Sequence, residues 1–191
     1  MTAGEHPGPD QLALDHHGAD TALAQLSVIR CLYAEVYAEP PYREGPADVA
    51  DFAGGWPQRV GHPGFRLVIA SWGVEPIGFG FGHQLPVRTG WWDGALTPLP
   101  DDITAEYPGR TFAIIEMAVR RRYRRRCVAR RLHAELTAGR PEERITLLVR
   151  PDAPAPQRAY RSWDYRPVGR IRPFPEGPVY DAMIRSCVTS C

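Results

Sequence analysis

The chain has 191 residues, of which 43% are hydrophobic and 24% charged, and its formal net charge is +1. One soluble globular domain is the expected size class; no global field marks a nucleic-acid binder, and no run approaches the ~20 apolar residues of a membrane span. All 23 basic residues are arginine, which excludes a catalytic lysine, a Schiff base and a P-loop lysine.

The first residues, MTAGEHPGPDQ, lack the basic and apolar regions of a signal peptide. Residues up to Pro9 are expected to be loose, and a cytoplasmic location is expected. Cys31, Cys127, Cys187 and Cys191 show no metal-ligand spacing, and His16-His17 has no clustered partners. No metal is therefore expected, and the thiols are expected to be free.

Asp20 is a suitable N-cap for a helix from Thr21 to Ala38, with Leu23, Leu26, Ile29, Leu32, Tyr33 and Val36 on one stripe. Pro40-Pro41 ends it. A shorter helix over Ala47 to Val60 is broken near Gly54-Gly55. Phe65 to Trp72 and Pro76 to Gln84 read as a strand pair. In the second strand Gly78, Gly80 and Gly82 alternate with larger residues, which leaves one face bare for a helix or ligand. Leu85 to Arg110 is a long connection, where Trp91 and Trp92 either line a substrate pocket or staple the loop.

Phe112 to Val119 is an apolar, β-leaning run broken by one carboxylate, Glu116, and eight arginines follow between Arg120 and Arg131. Val128, Leu132 and Leu136 share a face of the helix that comes next, which ends near Gly139. Arg144 to Val149 is a strand, Pro154 to Trp163 a helix, and Tyr165 to Arg170 and Val179 to Ile184 are strands. A strand, a turn and a helix N-terminus rich in cations form a site for phosphates. A solvated helix face or a nucleic-acid patch is the alternative for the arginines, disfavoured because aromatic residues other than Tyr123 are not interleaved with them.

Two motifs resemble the GNAT superfamily of acyl-CoA-dependent N-acyltransferases. The first is Arg124-Arg125-Arg126-Cys127-Val128-Ala129 after the strand ending Glu116-Met117-Ala118-Val119. It is similar to the family's Arg or Gln, two residues, Gly, one residue, Gly or Ala. The second is Ala159-Tyr160-Arg161-Ser162-Trp163-Asp164-Tyr165, similar to the family's helix tyrosine and the turn after it. The resemblance implies an α/β (α+β) fold with a mixed, mostly antiparallel central sheet flanked by helices. One domain over 19–186 would lie between a flexible segment with room for a first strand (1–18) and a tail (187–191).

It further implies acetyl transfer from acetyl-CoA to the primary amine of a small molecule or peptide, by direct attack in a ternary complex. Met117, Ala118 and Val119 would pair with the pantetheine arm, and Arg124, Arg125, Arg126, Cys127, Val128, Ala129 and Arg130 would hold the pyrophosphate, while Arg120 to Arg122 stay solvated. Burial of Glu116 inside an apolar strand suits it to act as base; Tyr160 matches the family's general acid. Tyr33, Tyr42, Trp91 and Trp92 are the candidate acceptor contacts. Nucleic-acid and membrane partners are not expected, and the protein would be a monomer or homodimer.

Four positions depart from the family's pattern, among them Arg125, which occupies a variable position that is often glycine. Cys127 stands at a glycine position, where a β-carbon crowds the pyrophosphate. Asp164 replaces a turn glycine, and Ala153 a frequent Asn. These leave open a GNAT-fold module that binds ligand without effective catalysis.

Overall fold

The computed structural model describes residues 12–187; the loose start expected up to Pro9 and residues 188–191 of the expected tail lie outside them. The segment with room for a first strand carries one, β1 (Leu12–His17). In place of one helix from Thr21 to Ala38 come α1 (Ala19–Ala22), a 3-10 turn over Leu23–Gln25, and α2 (Leu26–Tyr37). The tighter turn breaks the register of the stripe, and Leu23 is exposed while Ile29, Leu32, Tyr33 and Val36 are buried. Gly18, not Asp20, is the N-cap; Asp20 sits in the first turn, where its charge still suits the positive end of the helix.

Helices α3 (Pro46–Gly54) and α4 (Trp56–Val60) divide at Gly54-Gly55, each starting with a proline in its first turn. Strands β2 (Arg66–Trp72) and β3 (Glu75–Gln84) follow as an antiparallel pair. The long connection contains one short helix, α5 (Asp101–Thr104). Then come β4 (Thr111–Val119), α6 (Val128–Thr137), β5 (Arg144–Val149), α7 (Pro154–Ser162), β6 (Arg166–Ile171) and β7 (Tyr180–Ser186).

The strands form one 7-stranded sheet in the order β1-β2-β3-β4-β5-β7-β6. Only β4 and β5 are parallel; the other neighbours are antiparallel. Helices α2, α3 and α4 cover one face through Tyr33, Phe52 and Trp56 against Leu67, Phe79 and Phe81. Helices α6 and α7 cover the other through Leu132, Leu136 and Tyr160 against Ile77, Ile114 and Ile145. The bare face of β3 is filled by α6: a β-carbon on Gly78 would meet the Ala118 carbonyl oxygen at 2.7 Å and Leu132 Cδ1 at 3.3 Å. The glycines therefore admit the helix, and with it the turn at its N-terminus. Among the described residues no His, Cys, Asp and Glu group could hold a metal ion, and no helix is long and apolar enough to cross a membrane.

Candidate active site

Strand β4 pairs with β3 from Gly78↔Val119 to Gln84↔Phe112, but with β5 only from Thr111↔Arg144 to Ile114↔Leu147. Beyond that point β5 continues with β7 alone, to Val149↔Asp181. The backbone edge of Ile115 to Val119 thus has no strand partner on the β5 side. In the same place the β3–β4 register shifts: Phe81 faces Glu116 and Gly82 faces Ile114, leaving Ile115 as the extra residue. A bulge of this kind sends two successive side chains to one face. Ile115 packs on the α2 side, and Glu116 reaches Tyr37 of α2.

Glu116 is partly exposed yet closely surrounded. Burial pushes its carboxyl up to about 7, against the hydrogen bond that the Tyr37 hydroxyl donates to Oε2; the nearby Glu44 charge adds to the rise and Arg59 opposes it. The hydroxyls of Tyr33, Tyr42, Tyr160 and Tyr180 all lie within the field of Glu116. Burial, with that charge behind it, raises each of them, Tyr42 to about 12. These phenols are proton donors at neutral pH. Their rings build a wall: Tyr33 stacks on Phe52 with centroids 4.0 Å apart, Tyr33 and Tyr37 are 4.4 Å apart, and Tyr42 meets Tyr37 edge-on at 4.9 Å.

Tyr160 is buried on α7, edge-on to Trp163 and Tyr165. Trp163 ends the helix, and Asp164 turns the chain at φ 67°, the left-handed geometry for which a glycine would be the usual residue. The Tyr165 N–H donates back to the Tyr160 carbonyl at 3.1 Å, which locks the tyrosine to the turn.

After β4 the chain makes a 3-10 turn over Arg121–Tyr123, then a turn in which Arg125 (φ 60°) and Cys127 (φ 59°) are both left-handed. Cys127 is the N-cap of α6 without a side-chain cap bond, and its carbonyl accepts from Arg131 N–H at 3.0 Å. Among the described residues the N–H groups of Arg125 to Arg130 have no backbone acceptor, as the start of a helix requires. Alternating left-handed residues at a helix N-terminus form an anion-binding concavity. Arg125, Arg126 and Arg130 are exposed beside it.

Three other arginines of the run are committed elsewhere. Arg124 donates from Nε to the Val119 carbonyl at 2.9 Å and from Nη1 to Glu39 at 2.8 Å. Arg120, expected to be solvated, is half-buried and ion-pairs with Glu35 at 2.9 Å and with Glu75. Arg122, although exposed, also pairs with Glu75, which in addition accepts from the Tyr123 hydroxyl at 2.9 Å.

Of the expected acceptor contacts, Tyr33 and Tyr42 face Glu116. Trp91 and Trp92 lie in a separate cluster with Ile103, Ile171 and Ile184. Trp92 Nε1 donates to Glu106 at 3.0 Å, and the Arg144 guanidinium lies 5.4 Å from its ring centroid. Ile115 touches both this cluster and the α2 side. Tyr37, Glu44 and Tyr180 were not expected at the site. Tyr37 follows Tyr33 by four residues on α2, a signal present in the sequence; Glu44 and Tyr180 sit in a turn and at a strand start, where no periodicity marks them.

No protein-family model matches the chain, and no curated protein matches it. Solved structures do. Arabidopsis thaliana NAA60 in complex with acetyl-CoA is similar at 16% identity, over 92% of this chain and 99% of that one, with a TM-score of 0.62. Ard1 from Thermoplasma volcanium is similar at 14% identity, over 94% and 99%, with a TM-score of 0.60. Arabidopsis thaliana Naa50 in complex with the bisubstrate analogue CoA-Ac-MVNAL is similar at 13% identity, over 92% and 99%, with a TM-score of 0.56. The likeness is one of fold and spans nearly the whole chain: this is the GNAT acyltransferase fold.

Proposed function

We propose that this GNAT-fold chain transfers an acetyl group from acetyl-CoA to the primary amine of a small molecule or peptide. The observation that carries the reading is the meeting, on β4, of an edge without a strand partner and a carboxyl held near neutrality. Beside both lies a turn whose N–H groups are free to receive an anion. The open edge of Met117 to Val119 suits an amide-bearing arm such as pantetheine. The turn from Arg125 to Arg130 suits the pyrophosphate, with Arg125, Arg126 and Arg130 adding charge.

In this reading Glu116, at about 7, takes a proton from the acceptor ammonium near neutral pH. The freed nitrogen attacks the thioester carbonyl carbon, and the C–S bond breaks as the amide C–N bond forms. Tyr160, whose hydroxyl stays protonated, gives its proton to the departing sulfur and is restored by the second proton that the nitrogen sheds as the amide forms. Tyr37 orients Glu116 and keeps it from rising further. The structures of NAA60 and Naa50 carry acetyl-CoA and a peptide-bearing analogue respectively, which supports the choice of both substrates.

A second reading has a specific observation in its favour. Cys127 places a β-carbon on a left-handed residue of the turn, and Arg124 is already tied to Glu39 and the Val119 carbonyl. A module that binds CoA weakly and does not turn over fits those two facts. Calorimetric titration with acetyl-CoA, followed by thiol release with a panel of primary amines, separates the readings. Binding with amine-dependent thiol release supports the enzyme, and binding without it the module. The absence of binding at millimolar ligand removes both.

A further inference from the structure

Resting on the acetyl-transfer reading of the same site, we propose that the tyrosine-lined recess selects an acceptor carrying a second positive charge, and that Glu44 holds that charge. The Glu44 N–H donates to the Tyr37 carbonyl at 2.9 Å, while the Tyr37 hydroxyl donates to Glu116. One residue thereby fixes both carboxylates, one by its backbone and the other by its ring. Glu44 is half-buried and its carboxylate accepts a hydrogen bond from the Tyr33 hydroxyl, but among the described residues its Oε2 is buried without a hydrogen-bond partner. Glu142 and Glu106 pair with Arg140 and Arg144, and Glu116 with the Tyr37 hydroxyl. A buried carboxylate oxygen without a donor is costly in the free protein and is satisfied by an incoming cation.

The charges facing the recess agree in sign. Arg150, which lies near Glu44, Tyr42 and Tyr180, is neutralised by a two-pronged pair with Asp152 at 2.9 and 2.7 Å. Arg59 acts on Glu116 but donates from Nη1 to the Phe52 carbonyl at 2.9 Å. Asp48 adds a further negative charge next to Glu44, while accepting from Gly45 N–H at 2.8 Å. Among the described residues Glu116 and Glu44 are therefore left without an ion-pair partner. The rings of Tyr33, Tyr37, Tyr42 and Tyr180 lie around them, and aromatic faces beside carboxylates attract an alkylammonium group. With Glu116 assigned to the amine that reacts, Glu44 takes the other: a diamine, or a peptide with a basic side chain near its N-terminus, has this chemistry.

The probes are the α,ω-diamines from propane to octane and the monoamine of matching length. Each is titrated calorimetrically into the protein with CoA present, for the wild type and Glu44→Gln. The best diamine is expected to bind at least about tenfold more tightly than its monoamine, and the advantage is expected to fall below about threefold in Glu44→Gln. Thermal melting of the variant confirms that it folds. Equal binding of every pair by the wild type, or an advantage that survives in Glu44→Gln, overturns the assignment. Thiol release with the same amines keeps the two readings apart. Diamine-selective binding without thiol release leaves the cation site standing and removes acetyl transfer; thiol release indifferent to the second charge does the reverse.

Discussion

Replacing Glu116 by glutamine should make the protein more stable and less active at once, and the stability half of that statement is independent of any substrate. The carboxyl rises from an ordinary 4.5 to about 7 in the folded protein, chiefly through burial. Folding therefore favours the protonated form, and its contribution is complete below pH 4.5 and is lost as pH rises through about 7. The displacement corresponds to about 3 kcal/mol, an upper value because Glu116 keeps some contact with water. Glutamine carries no charge to desolvate, and its amide still accepts from Tyr37. Urea denaturation of wild type and Glu116→Gln at pH 5, 6, 7 and 8 measures the difference, and the other titrating groups cancel between the two proteins. The variant is expected to gain on the wild type by about 2–3 kcal/mol between pH 5 and pH 8. A difference flat in pH would mean that Glu116 is solvated like a surface carboxylate, and its assignment as a base held near neutrality would go with it.

Tyr37→Phe removes the donor that holds Glu116 down. The acid limb of kcat/KM for amine acetylation should move up by about one pH unit, the worth of a hydrogen bond to a charged group; an unmoved limb removes Tyr37 from the site. Tyr160→Phe should lower turnover by roughly 10² with little change in acetyl-CoA affinity, read by thiol release and calorimetry. Cys127→Gly relieves a left-handed residue but adds freedom to the unfolded chain. Its stability should change by less than about 1 kcal/mol while CoA binds more tightly. Arg144→Met leaves Glu106 buried without its cation, and Trp92 shares that carboxylate; a loss of about 3–5 kcal/mol in denaturant unfolding is expected.

What the sequence made legible is local. Alternation placed β2 and β3, the apolar run around Glu116 placed β4, and Gly139, left-handed at φ 62°, marked the end of α6. The fold class followed from the resemblance of the two motifs, 124–129 and 159–165, to the GNAT superfamily. The arginine run misled in part because its partners are remote: Glu75 and Glu35 meet Arg120 only once α2 and β3 have folded against the turn. The tyrosine recess was legible only in part: Tyr33, Tyr42 and Tyr160 are expected from the sequence, whereas Glu44 and Tyr180 carry no periodic signal. Tyr37, Glu44, Tyr160 and Tyr180 come from a helix, a turn, another helix and a strand start, and only the bulge in β4 aims Glu116 at them. The two tryptophans drew attention by their side-chain type, whereas a buried ion pair of Glu106 and Arg144 is what holds Trp92.

The partial pairing of β4 with β5 has a mechanical meaning. Four residue pairs, from Thr111↔Arg144 to Ile114↔Leu147, are the hydrogen-bonded seam between a four-stranded half of the sheet and a three-stranded one. A cosubstrate arm laid along the open edge would act as an eighth, temporary strand and lengthen that seam. Amides of β4 and β5 should then exchange with solvent more slowly when CoA is bound, as the two halves are drawn into a single plate.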